Sequence, residues 1–175
     1  MNIFEHNVKL LKMLEKQTIG LGNILEITKV KDSTDIYEIT GNLNLSTLSC
    51  EKNLHIKIFS QSYAEDISVL HMLGIYPNIN IDEIAMPNIS LFLMRLATEV
   101  SHIKISIGEE NVILFAVEEL NSLMSIATIK TFILDIAYLA AIVSRGIMAL
   151  SLGLSTPMEE FDKALVLWEK HYNDE

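Results

Sequence analysis

From Leu120 to Met158 the chain runs 39 residues with only three charges, Lys130, Asp135 and Arg145. Most of so apolar a run is expected to be buried, because exposing apolar surface to water is unfavourable. Its apolar positions recur at helical spacing, which predicts a long helix over about 125–150 ended by Gly153. On a helical wheel Lys130, Asp135, Tyr138 and Arg145 share one arc, and Ile129, Ile133, Ile136, Ala140 and Val143 lie largely opposite. The stretch is long enough to cross a bilayer, but Asp135 and Arg145 would each cost up to about 2.5–3.5 kcal/mol near its centre. The expectation is an amphipathic core helix in a protein without an integral membrane span.

The elements around it follow from periodicity. Phe4, Val8, Leu11 and Leu14 are spaced as one helical face, with Glu5, Lys9, Lys12 and Lys16 opposite, so a first helix is expected over about 2–18, closed by Gly20 and Gly22. Ile24–Val30 and Ile36–Leu43 flank the turn residues Asp32-Ser33-Thr34-Asp35 and read as a hairpin. After a polar connection through Cys50, the residues Leu54 to Phe59 alternate strictly, as in a strand with one buried face. Ile67–Ile75 is uniformly apolar and reads as a central strand, a short helix being the alternative. A loop over Pro77–Pro87 leads to a helix over about 87–101, with Ile89, Leu93, Leu96 and Val100 as its stripe. Ile103–Ile107 and Val112–Val117 form a second hairpin around Gly108-Glu109-Glu110-Asn111. Last, Thr156-Pro157-Met158-Glu159 is a capping box opening a helix over about 157–171. The fold class is therefore α+β: a twisted antiparallel sheet with helices on one side, in the order α-β-β-β-β-α-β-β-α-α. A single domain over 1–175 is expected, with a C-terminal helical extension from about 155.

Charge and cysteine content narrow the partners. The net charge is −10, concentrated between residues 60 and 120, and an acidic surface repels phosphate backbones, so nucleic acid is not expected. Cys50 is the only cysteine, which rules out an internal disulfide and a thiolate metal cluster. No basic cluster followed by an apolar run opens the chain, so a cytoplasmic protein is expected, and the triplets Asn44-Leu45-Ser46 and Asn88-Ile89-Ser90 are chance matches.

Chemistry-bearing patterns are sparse. His6, His55, His71, His102 and His171 fall on different predicted elements, and none has a metal-ligand spacing with another histidine or a carboxylate. His71 sits in an apolar strand, as a core or edge histidine or as a ligand. Glu109-Glu110 and Glu118-Glu119 are adjacent, and neighbours in a strand point to opposite faces, so neither pair forms an acid/base dyad. No glycine-rich phosphate loop is present. Eight methionines, Met94, Met124 and Met148 among them, occur mostly within apolar runs as core residues would, an adaptable binding surface being the alternative. Phe161, Leu165 and Trp168 form one stripe on the last helix and are the candidate partner-binding residues. Three destinations are open to them: the parent core, a second subunit by exchange, or a partner. No catalytic, metal or cofactor residue is expected.

The order of elements resembles the fold of type III secretion chaperones and of YbjN-like bacterial proteins. A closer local likeness, carried by Val112-Ile113-Leu114-Phe115-Ala116-Val117 running into Asn121-Ser122-Leu123 and a long apolar helix, is to the uncharacterised YjfI-like family. Leu54 to Ile58 and Ile67 to Leu73 are similar to that family's middle strands, whereas the capped helix after Thr156 is an addition. The resemblance implies a non-enzymatic, chaperone-like adaptor, homodimeric and holding a segment of another protein. Its alternatives are an accessory protein of a PspA-type membrane-stress system, or a small-molecule-binding regulator with a pocket between the sheet and the long helix.

Overall fold

The computed structural model describes residues 2–14, 18–20, 23–48, 53–64, 67–77, 81, 83–108, 112–120 and 123–173. Gly22, Cys50, the turn residues Glu109 to Asn111, and Asn121-Ser122 lie outside them.

Helix α1 (Ile3–Leu14) starts where the Asn2 side chain accepts from the Phe4 backbone N–H at 2.8 Å, and it buries Leu10, Leu11 and Leu14. Two short strands follow, β1 (Thr18–Gly20) and β2 (Asn23–Ile24), paired antiparallel. The main chain of the fold is then a meander: β3 (Glu26–Asp32), β4 (Ile36–Leu43), β5 (Leu54–Ala64) and β6 (Ile67–Tyr76). Helix α2 (Met86–Glu99) crosses to the outer hairpin of β7 (Lys104–Ile107) and β8 (Ile113–Leu120), and α3 (Ile126–Ser151) and α4 (Pro157–Asn173) close the chain. The sheet is antiparallel throughout, in the order β3-β4-β5-β6-β8-β7.

The α+β class and the order of elements are as the periodicity predicted. Several boundaries differ, and β5 and β8 run on past the expected Phe59 and Val117, to Ala64 and Leu120. Of the first helix, expected to about residue 18, the described part is Ile3–Leu14, and Thr18 and Gly20 lie in β1; likewise the strand expected from Ile24 begins at Glu26, with Ile24 in β2. The strand alternative for Ile67–Ile75 is the one realised, at a central position between β5 and β8.

Alternation in β4, β5, β6 and β8 buries one face of the sheet. Ile39, Leu54, Ile56, Ile58, Leu70, Met72, Ile113 and Phe115 point inward, and with the helices they form one continuous core. Helix α3 lies across that face so closely that a Cβ on Gly74 would stand 2.3 Å from Ile136 Cγ2. Only glycine lets backbone and helix meet there. The region between sheet and long helix, where a pocket was one expectation, is thus packed at this crossing. Gly146 permits a similar approach in the next layer, where a Cβ would meet the Phe92 ring of α2 at 2.7 Å. Long and apolar enough on composition alone to cross a bilayer, α3 instead buries over half of its most apolar window within the protein.

Helix ends obey local chemistry. Ser125 caps α3 by accepting from the Thr128 N–H at 3.1 Å, and Gly153, at φ 65°, ends it in the left-handed conformation that glycine tolerates best. The capping box of α4 forms as its sequence predicts: the Glu159 carboxylate accepts from the Thr156 N–H at 2.8 Å, and Thr156 Oγ1 accepts from the Glu159 N–H at 3.3 Å.

Candidate functional site

Two surfaces of the sheet remain for binding, its outward face and its edges. Across the outward face runs a row of polar and aromatic side chains, paired with one another except at His71 Nε2, which is buried without a hydrogen-bond partner among the described residues. Glu38 on β4 pairs with Lys57 on β5 at 3.1 Å, Lys57 lies over the Phe59 ring, and Phe59 stacks on His71 of β6 with centroids 4.4 Å apart. His71 Nδ1 is 3.4 Å from Glu118 on β8, which takes a 2.7 Å bond from Lys104 on β7. That bond and the charge of Lys104 hold the Glu118 carboxyl below its ordinary value, with His71 acting in the same direction. A row of pairs like this is a solvated face. It also explains His71, a sheet-surface residue stacked on an aromatic neighbour.

The edges differ from each other. Strand β3 is exposed along nearly its whole length and carries Lys29, Lys31 and Asp32, charges that discourage another strand from pairing. Strand β7, at the opposite edge, offers Ile105 and Ile107 on its inward side and has α2 beside it. Between them lies an open groove of about 430 Å³ lined by Ser90, Leu93, Met94 and Ala97 of α2 and by Ile105, Ser106 and Ile107 of β7. These helix positions follow from spacing: 90, 93, 94 and 97 share a flank of α2, while Ile89, Phe92, Leu93 and Leu96 face the core. Met94 is 69% exposed and Leu91, one turn earlier, 45%. An edge strand beside an apolar, neutral trough has the elements needed to receive an extended segment: unpaired backbone for the ladder and a recess for alternate side chains.

The stripe singled out on α4 turns toward its own protein. Trp168 is buried, Phe161 is half-buried against the core, and Leu165 is half-buried, while α4 as a whole packs on α2 and α3. Around Trp168 the fold assembles residues that were remote in sequence. Its ring lies 5.3 Å from Tyr172, 5.7 Å from His171 and 6.0 Å from His102, centroid to centroid. At the centre is Asp135 of α3, whose arc was expected to be the polar one and which is instead buried because α4 covers it. His171 Nε2 is 2.9 Å from Asp135 Oδ1, and the Tyr172 hydroxyl donates to Asp135 Oδ2 at 3.0 Å. His102, in the turn before β7, places Nε2 at 3.2 Å from the Tyr172 hydroxyl and 3.4 Å from Asp135 Oδ2. Continuing the stripe by three and four residues from Trp168 reaches His171 and Tyr172, so their shared face was readable. Their meeting with Asp135 and His102 was not. Among the described residues no three His, Cys, Asp or Glu side chains stand together as a ligand set.

Fold and groove define the class: an α+β protein with four helices on one face of a six-stranded antiparallel sheet and one open, apolar edge. Compared with known proteins, the chain matches no family model, no curated protein and no solved structure.

Proposed function

We propose that the protein is a chaperone-like, non-enzymatic adaptor that holds an extended apolar segment of another polypeptide along β7. The observation that carries this is the groove between α2 and β7, apolar, open and beside an edge strand whose one charge, Lys104, is paired with Glu118 on the outward face, whereas β3 carries Lys29, Lys31 and Asp32. A bound segment adds its backbone to the ladder and sets every second side chain between Met94 and Ile105. The homodimer implied by the chaperone-like order of elements belongs to the same proposal, and light scattering then gives twice the chain mass of 19.7 kDa. A monomeric mass at tens of micromolar removes the dimer and leaves the groove to be tested separately.

The test of the groove uses fluorescent peptides that alternate Ile or Val with Thr, titrated by anisotropy. Binding is expected, and Met94→Asp should weaken it about tenfold or more, which is about 1.4 kcal/mol. Met94 is too exposed for this change to unfold the chain. Methylating alternate backbone nitrogens of the peptide should also abolish binding, since those amides complete the ladder. Equal affinity for the wild type and the Asp variant, or no binding by any such peptide, refutes the proposal.

A further inference from the structure

We propose that Asp135, His102 and Tyr172 form a binding site for a divalent transition-metal ion of the zinc class, with His171 as its positioning residue. The three donor atoms, Asp135 Oδ2, Tyr172 Oη and His102 Nε2, make a triangle with sides of 3.0, 3.2 and 3.4 Å. Ligand bonds of about 2.0–2.2 Å in tetrahedral geometry set ligand atoms about 3.3–3.6 Å apart, so the two sides that meet at His102 already have this spacing, within about 0.1 Å. They are long for hydrogen bonds to an imidazole, which cluster near about 2.9 Å. The Tyr172–Asp135 side is an ordinary hydrogen bond and must open by a few tenths of an ångström.

Electrostatics point the same way. Asp135 is a carboxylate with a side chain 3% exposed, and its ion-pair partners among the described residues are imidazoles only, without a lysine or arginine. A buried carboxylate is costly unless a positive charge meets it. A dication at the triangle supplies that charge. The imidazole nitrogen and the carboxylate oxygen are zinc ligands, the Tyr172 oxygen is the third donor once its proton leaves, and three protein ligands leave a fourth position for water. That position has an approach, since the His102 side chain is 38% exposed and Tyr172 44%. His171 completes the arrangement from behind. Its Nε2 holds Asp135 Oδ1 at 2.9 Å, and its ring stacks on Tyr138 with centroids 3.9 Å apart, fixing the carboxylate so that Oδ2 faces the ion.

Ligation displaces the proton that the Tyr172 hydroxyl donates to Asp135, so zinc uptake is accompanied by proton release to solvent. Because the ligands come from α3, α4 and the turn before β7, the ion fastens the C-terminal helix to the body of the protein.

The test uses the full chain without a histidine tag, stripped with chelator and titrated with zinc alone by calorimetry in two buffers of different ionisation heat. One ion per chain is expected, with buffer-dependent heat, a higher melting temperature and slower amide exchange over residues 168–173. His102→Ala should abolish binding, Tyr172→Phe should weaken it tenfold or more, and His171→Gln should weaken it tenfold to a hundredfold. His102 is half-exposed, so its variant keeps the fold as checked by circular dichroism and remains a fair test. Zinc binding unchanged in His102→Ala, or absent from the wild type, overturns the site.

Discussion

Trp168→Ala tests whether α4 belongs to the core. The indole is 7% exposed and has three ring neighbours, His102, His171 and Tyr172, with centroids 5.3–6.0 Å away. Truncating a buried Trp to Ala costs about 3–5 kcal/mol, to which the lost aromatic contacts contribute. That is a large fraction of the 5–15 kcal/mol typical of a domain. At roughly 2–4 °C per kcal/mol for a chain of this size, the melting temperature should fall by roughly 6–20 °C. Since Trp168 is the only tryptophan, the melt of the variant is followed by far-ultraviolet circular dichroism, and wild-type indole fluorescence separately reports the docking of α4. A fall of less than about 2 °C together with lost self-association would mean that the stripe of Phe161, Leu165 and Trp168 serves a partner, and the packing argument would be wrong.

Other consequences are direct. Gly74→Ala forces a methyl to within 2.3 Å of Ile136 Cγ2 and should destabilise by about 1–3 kcal/mol in urea unfolding, whereas Ala at the open Gly153 meets no atom and is penalised only by its φ of 65°. Thr156→Ala removes the α4 cap and should cost about 0.5–2 kcal/mol. The Thr156 backbone and hydroxyl bonds hold the Glu159 carboxyl below its ordinary value of 4.5. A carboxyl lowered on folding stabilises above its unfolded value and loses that contribution as pH falls through the folded one, so the gap between wild type and Thr156→Ala should narrow in acid below that range without closing, because the variant keeps the backbone bond and the wild type keeps the bond from the Glu159 N–H to Thr156 Oγ1. Lys104→Gln should return the Glu118 carboxyl toward its ordinary value in a carboxyl-carbon NMR titration, and an unchanged titration would show that the pair with Lys104 does not shift it.

Much of this architecture was legible because its signals are local. Alternation in Leu54 to Phe59 and the capping box at Thr156 each specify structure within a few residues, and both appear where the sequence places them. The spacing of Ile129, Ile133, Ile136, Ala140 and Val143 likewise gave the inner face of α3. The three-residue strand β1 is too short to leave a period, and its glycine reads equally as a helix stop. Asp135 was misplaced for a physical reason: an arc with three charged side chains faces water unless another helix covers it, and α4 arrives only after the chain reverses at Gly153. The groove beside β7 left no motif either. It exists because β7 is the last strand in the order, a property of the pairing of β8 with β6 and not of the residues Lys104 to Ile107 themselves.

The most direct measurement of the central claim is backbone NMR of the labelled protein during titration with an alternating Ile/Thr peptide. Shift changes and new exchange protection should concentrate on residues 104–107, with side-chain shifts at Leu93, Met94 and Ala97, while β3 and the outward face stay unchanged. Perturbations centred on β3, or on the row from Glu38 to Glu118, would contradict the account.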